Sequence, residues 1–473
     1  MLRLLLIVHR YLAVAVGLLM ALWCLSGFVM LYQDYPQLTR AEQLQGLEPL
    51  DLDGCCRTDF LPGDAEALQP FRIEMLNGAP LLRQSGVRPF QLHNGEPLAG
   101  LQQEDLLHIA SGHARRRGIT GTAHALGAVE IDQWTLLTFR RQQPAEHFAL
   151  QDAAGTELYV NGTTGEVFQD TSRRERVLSW LGPIPHWLYP TFLRRNGPLW
   201  SKIVIWTSVA GCFLAATGLY VGISRLRRRS SDGRLSSPFQ GWWYWHHVAG
   251  LCFGVLVLTW VFSGLLTMNP WGLLEGSEAG GRVAAQLSRP VPTAELRQFL
   301  QALPQLPDAG QFRRLRAQDF NGHLYVIAER ADGSMLRLDA AARPAPLTQA
   351  AVRELIGSLD TGLHSLELMA GEDAYYYSHK EPAEFPVYRA ILDDAQRTRL
   401  YIQPATGEIR IVDIDARRTR WWERALHGLD FRGLRARPLW DIVAMLLLAG
   451  ATLVTVTGSW MAIQRVRRDL GRR

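Results

Sequence analysis

Apolar positions in this sequence are gathered into blocks. Four stretches, 12–31, 203–223, 248–268 and 442–463, carry almost no charge, and each has about the 20 residues a helix needs to cross the hydrocarbon core of a bilayer. They predict four transmembrane helices, at 4–32, 198–224, 242–268 and 438–464 once the flanking turns are added. Between the blocks the pattern changes to short extended runs and amphipathic helices. "WTLLTFRR" from Trp134 reads as a strand, as does a run ending in Tyr-Val-x-x-x-Thr-Gly-Glu, while 294–302 and 352–359 read as helices. Two α+β domains are therefore expected at 33–197 and 269–437, with a short loop at 225–241 and a tail at 465–473.

The two halves of the chain resemble one another. Sliding the sequence until His9 falls on His246 also brings Gly17, Trp23, Ser26 and Gly27 onto Gly254, Trp260, Ser263 and Gly264. At almost the same offset Pro198-Leu199-Trp200, Thr217-Gly218 and Arg225 meet Pro438-Leu439-Trp440, Thr457-Gly458 and Arg465, and "LYVNGTTGEV" meets "LYIQPATGEI". Each half reads as helix, exported domain, helix. Both copies cross in the same sense, so the expected architecture is a parallel two-fold internal repeat with equivalent residues at equal depth. In Thr164-Gly165-Glu166 and Thr406-Gly407-Glu408 the glycine suits a left-handed turn between strands. That motif needs no chemistry.

Charge sets the orientation. Arg225, Arg227, Arg228, Arg229 and Arg234 crowd the central loop, and Arg465, Arg467, Arg468, Arg472 and Arg473 crowd the tail. Arginine beside a span resists translocation, which predicts cytoplasmic termini and domains facing the outside or periplasm, as in a multi-pass protein of a bacterial inner (cytoplasmic) membrane. These anchors largely account for the net charge of +5, so it is no sign of nucleic-acid binding. The first apolar run is too long for a signal-peptide core and is read as a retained anchor. The five cysteines form no zinc spacing and no disulfide framework. Cys24, Cys212 and Cys252 lie in spans as small apolar packers. For the adjacent exported pair Cys55-Cys56 the readings are a local disulfide, free thiols, or a redox or metal role.

Of the 13 histidines, few recur at repeated positions beside spans. His9 and His246 open the first and third helices at one depth. His9, Ala13 and Gly17 share a helix face, as do His246, Gly250 and Gly254, and small residues beside an axial histidine leave room for a flat porphyrin. Close helix packing is the competing explanation. His247 is an alternative ligand that breaks the repeat. At the other face His186 and His427 each precede a returning helix, among interfacial aromatics such as Trp187 and Trp421. His186 stands one residue farther from Trp200 than His427 does from Trp440. On a continuous helix that mismatch rotates a ligand by about 100° unless a bend absorbs it. His108, His113, His124, His147, His323, His364 and His379 are read as surface or structural residues.

The histidine-led spans "HRYLAVAVG" and "HHVAGLCFG", the Thr-Gly ends of the second and fourth spans, and the Tyr-x-x-x-x-Thr-Gly-Glu motifs together resemble the PepSY-associated transmembrane family, over nearly the whole chain. Ala13 departs from the glycine usual in that family four residues after histidine. The resemblance includes inner-membrane siderophore reductases and implies PepSY-like domains, two haem b groups, and reduction of a ferric siderophore or other ferric chelate in the periplasm. The axial ligands expected are His9, His246, His186 and His427, with His247 as the alternative to His246. The partners expected are lipid, the ferric chelate, and a cytoplasmic or quinol electron donor. A membrane-anchored binding or peptidase-regulating module, without redox activity, is the alternative.

Overall fold

The computed structural model describes residues 2–228, 235–275, 278–378 and 383–471. His379 and the anchor residues Arg229, Arg234, Arg472 and Arg473 lie outside the described residues. The chain divides into a helical unit, residues 1–35, 175–276 and 415–473, and a sheet unit, residues 36–174 and 277–414.

In the helical unit, α1 (Leu2–Met30), α2 (Gly197–Arg225), α3 (Trp242–Thr267) and α4 (Leu439–Leu470) are each long and apolar enough to cross a membrane. Asn196 starts α2 by accepting a hydrogen bond from the Leu199 amide, with Pro198 in the first turn, where its missing N–H costs nothing. The helices form a ring in which α1 and α3 each lie against α2 and α4, around a seam of Val16, Met20, Leu214, Val257 and Ala451. Small residues let the backbones approach: a Cβ on Gly254 would stand 2.7 Å from Leu219, and one on Gly450 would meet the Phe253 ring.

Short segments lead into α2 and α4. Pro183–Trp187 is one helical turn ended by Leu188 in the left-handed region. Arg420–His427 is a π-helix, and Leu429 just beyond it is again left-handed, at φ +54°. Trp200 donates its indole N–H to the Trp187 carbonyl at 2.9 Å, and Trp440 donates to the Gly428 carbonyl at 3.1 Å. Both acceptors directly follow a histidine. The one-residue mismatch therefore falls between the acceptor and the tryptophan, in residues 188–199 against 429–439, where the chain bends and no continuous helix carries it.

In the sheet unit, β1 (Phe71–Leu76), β2 (Ala79–Gln84) and β3 (Phe90–Gln91) come from the first segment, followed by β4 (Ala123–Val129), β5 (Ala145–Leu150), β6 (Glu157–Asn161) and β7 (Val167–Thr171). The second segment gives β8 (Phe312–Phe320), β9 (His323–Arg330), β10 (Met335–Leu338), β11 (Leu363–Met369), β12 (Val387–Leu392), β13 (Arg399–Ile402) and β14 (Ile409–Val412). Strands β4 to β7 form one four-stranded sheet and β11 to β14 another, each in chain order. The helix Gln103–Arg116 covers the first with Leu106, Ile109 and Ala110, and Gln349–Gly357 covers the second with Val352, Leu355 and Ile356.

The remaining strands join the two segments that the sequence treats separately. They form one six-stranded sheet in the order β10-β9-β8-β1-β2-β3, with Ile73 opposite Leu315 across the antiparallel β1–β8 pair. Pairing of this kind removes two open strand edges at once. Its core mixes Ile73, Leu82 and Leu92 with Phe299, Leu315 and Val326.

Two local readings are settled in this unit. Gly165 and Gly407 take the left-handed turn, at φ +68° and +81°. "WTLLTFRR" is not a strand: it is a run of turns, because Asp132 accepts hydrogen bonds from the Trp134 and Thr135 amides and curls the chain. The same carboxylate accepts the Tyr159 hydroxyl at 2.6 Å, as Asp373 accepts that of Tyr401. The motif tyrosine is therefore a buried brace. Cys55 and Cys56 form a disulfide with each other, packed against the core of the six-stranded sheet.

Candidate haem-ligand histidine pairs

Four of the singled-out histidines meet as two pairs, both within the helical unit. His9 of α1 and His246 of α3 face each other with ring centroids 6.4 Å apart and planes at 40°. His186 and His427 face each other at 6.3 Å and 66°.

Each ring is held by its neighbouring helix in the same way. His9 Nδ1 lies 3.1 Å from the Leu214 carbonyl and 3.4 Å from Thr217 Oγ1. His246 Nδ1 lies 3.1 Å from both the Val454 carbonyl and Thr457 Oγ1. In the second pair the anchors are the Trp23 carbonyl and Ser26 Oγ for His186, both at 3.1 Å. For His427 they are the Trp260 carbonyl at 3.2 Å and Ser263 Oγ at 3.1 Å. Every one of these hydroxyls donates back into its own helix, as Ser26 does to Leu22 at 2.7 Å, which leaves the oxygen as an acceptor toward the ring.

The consequence is a defined tautomer. A carbonyl only accepts, so Nδ1 carries the proton and Nε2 keeps its lone pair. Among the described residues no hydrogen bond reaches the Nε2 of any of the four. Backbone-anchored Nδ1–H with a bare Nε2 is the usual state of a metal-ligating histidine. The spacing fits as well: two imidazoles on opposite sides of one metal, bonded at about 2 Å, have centroids about 6.3 Å apart.

Close approach to the first pair requires glycine. A Cβ on Gly218 would stand 2.7 Å from His9 Cε1, and one on Gly458 would stand 2.9 Å from His246 Cε1. Beside the rings opens a cavity of about 250 Å³ whose wall includes Ala13, Gly17, Gly250 and Gly254. Of these, Gly250 faces open space, with nothing within 4 Å of a Cβ placed on it, whereas Gly17 and Gly254 also seat neighbouring helices, a Cβ standing 3.3 Å from Ser459 and 2.7 Å from Leu219.

His247 is placed differently. Its Nε2 donates to the Gly222 carbonyl at 2.8 Å and its Nδ1 accepts from Ser237 Oγ at 2.8 Å. Both nitrogens are engaged, so His247 ties the end of α2 to the start of α3 and it is His246 that faces His9.

The second pair lies outside the spans and is almost wholly buried. Burial first, then the neighbouring His427, pushes the His186 pKa down to about 4, against the raising effect of the Trp23 carbonyl. Burial likewise lowers His427, opposed by the Trp260 carbonyl. Both rings are neutral at pH 7. Elsewhere His147 and His323 pair with Glu157 and Glu295, and His113 is buried and held neutral by burial, then by Arg117 and Arg116, with its pKa lowered to about 3. Among the described residues no three or more His, Cys, Asp and Glu side chains converge as a metal site.

Thr217, Thr457, Ser26 and Ser263, which anchor the candidate histidines, and Gly218 and Gly458, which seat the first pair, stand in the sequence only as repeat markers. Their recurrence beside the histidine repeat was the available signal.

The chain matches the family described as PepSY-associated TM region over residues 6–465. No curated protein and no solved structure matches the chain.

Proposed function

Since this chain belongs to the PepSY-associated transmembrane family, we propose that it carries electrons across a bacterial inner membrane and reduces a ferric chelate, such as a siderophore complex, on the far side. The observation that carries this reading is the two facing pairs of backbone-anchored imidazoles, each with Nε2 unpartnered among the described residues. Each pair would hold one haem b, His9 with His246 and His186 with His427. Haem bound by two imidazoles supplies reversible one-electron transfer with no open coordination position, which disfavours oxygen chemistry.

The chain's own part is placement. About 25 Å of helix rise separates His9 from Ser26, the anchor of His186, and the same rise separates His246 from Ser263, the anchor of His427. In the proposed parallel repeat, with cytoplasmic termini, the first pair lies near the cytoplasm and the second near the periplasm. A cytoplasmic or quinol donor would serve the first. Chelate iron is the substrate: one electron turns hard, oxygen-bound Fe(III) into the more labile Fe(II), which the chelator then releases. No general acid or nucleophile is needed.

The test is the reduced-minus-oxidised visible spectrum and haem-to-protein ratio of the detergent-purified chain, followed by Fe(II) release from a ferric hydroxamate after reduction. Two haems per chain with a bis-histidine b-type spectrum, and Fe(II) trapped by a ferrous chelator, are expected. A colourless protein from haem-replete cells would overturn the proposal and favour a membrane-anchored binding module.

A further inference from the structure

The cavity beside His9 and His246 is apolar over most of its wall, with Leu6, Met20, Leu214 and Val257 among its residues. One part of its lining is cationic: Arg10 of α1 and Arg465 and Arg468 of α4. On α4 these follow Gly458 and Ala462 along the stripe that lines the cavity, so the two arginines begin about 10 and 15 Å of helix rise beyond the glycine that seats His246. No Asp or Glu shares the lining among the described residues. Arg465 meets Asp469 at 3.0 Å, but among the described residues neither Arg10 nor Arg468 has an ion pair or side-chain hydrogen bond within the chain.

Arginines at a span end are ordinarily explained as partners of lipid phosphate. That explanation requires them only to reach the membrane surface. It gives no reason for three of them, from two helices, to line the same cavity as a facing histidine pair. Haem b has an apolar perimeter except along one edge, which carries two carboxylates. Near a membrane such charges need partners, and a guanidinium fork matches a carboxylate with two parallel, charge-assisted hydrogen bonds.

Resting on the haem reading above, we infer that Arg10 and Arg468, with Arg465 beside them, are the carboxylate-binding end of the first site. They receive the two propionates and fix which edge of the macrocycle lies toward them. The apolar wall takes the opposite edge. Arg465 and Arg468, read in the sequence as topology anchors, then have a second role as part of the cofactor site.

The test uses the full chain carrying His427→Ala, which leaves the first pair as the intact site; in the chain with both pairs the same change is read as one of two kinetic phases. Haem and haem dimethyl ester are each loaded, and their transfer to excess apomyoglobin is timed for Arg10→Gln, Arg468→Gln and Arg468→Lys. Arg467→Gln, a neighbouring position absent from the cavity lining, is the control. Loss of haem is expected to quicken about tenfold for each glutamine variant, less for the lysine variant, and not at all for the control. The dimethyl ester, lacking carboxylates, is expected to leave all of them at one rate. Equal haem loss from Arg10→Gln, Arg468→Gln and the control overturns the inference while leaving the haem proposal standing. So does faster loss of the ester to the same degree, which would mark general loosening or lost lipid anchoring. A wild-type chain that takes up no haem overturns both.

Discussion

The indole of Trp440 donates a hydrogen bond to the carbonyl of Gly428, as the indole of Trp200 does to that of Trp187, so each returning helix grips the residue that follows a histidine. On the His427 side the gripped residue directly follows the π-helix Arg420–His427. Trp440→Phe keeps the ring and removes the donor. It is expected to cost about 1 kcal/mol and to broaden or shift the low-spin electron paramagnetic resonance signal of the second haem alone. An unchanged signal would show that the π segment holds His427 without help.

His246 and His247 are neighbours with opposite roles. His247→Ala is expected to leave both haems bound, while His246→Ala loses the first. Pyridine haemochrome assays of the two purified variants decide it. Loss of a haem from His247→Ala at unchanged folding would reassign the ligand.

Glycines at this site separate folding from binding. Gly218→Ala and Gly458→Ala each push a methyl into an imidazole, so both are expected to lower first-site haem content. Gly250→Ala meets nothing within the chain and improves helix propensity by up to about 1 kcal/mol. The apoprotein should therefore be equally or more thermostable, with haem uptake reduced because the methyl enters the cavity. Thermal melts of the apoprotein beside haem titrations test this; full uptake by Gly250→Ala would argue that the cavity is not the binding surface.

The second pair makes a pH prediction. His186 titrates near 4 when folded, against 6.5 for an exposed imidazole, so the unfolded chain binds the extra proton between those values. Its contribution to stability is complete above pH 6.5 and is lost as pH falls through about 4. His427 shifts in the same direction. Equilibrium melts of the apoprotein should lose stability from pH 6.5 to 4, and a His186→Gln variant should lose less. Equal pH dependence of the two would contradict the assignment.

Glu74 anchors the six-stranded sheet. Burial pushes its carboxyl pKa up, but Arg72, Arg83 and Arg314 outweigh that and hold it lowered, with Arg83 Nε at 3.0 Å. Glu74→Gln strands these guanidiniums and is expected to destabilise the sheet unit by about 3–5 kcal/mol, with haem content unaffected. A change below about 1 kcal/mol would show that Glu166 and Glu329 suffice for the arginines.

The spans were legible because hydrocarbon tolerates so little charge that four uncharged runs have few other meanings. His9 and His246 were legible through their recurrence, and the small residues after them through helical spacing. What escaped was long-range. Nothing near Leu214 or Trp260 in sequence says that its carbonyl will hold a histidine on another segment, since any helix carbonyl can serve. The choice between His246 and His247 turned on the Ser237 and Gly222 contacts. The misread strand at Trp134 had the right alternation, but the Asp132 side chain competed for the backbone. The β1–β8 pairing left no local mark because a strand's partner is not written in the strand.

That pairing bears on how the protein is made. β1 begins at Phe71 and β8 at Phe312, so at ordinary synthesis rates β1 waits on the order of tens of seconds for its partner. During that interval α2 and α3 join α1 while the sheet edge stays unclosed, which invites pairing with another copy. The vulnerable species is the half-built molecule, and a chain stopped after α2 is expected to be a substrate for proteolysis.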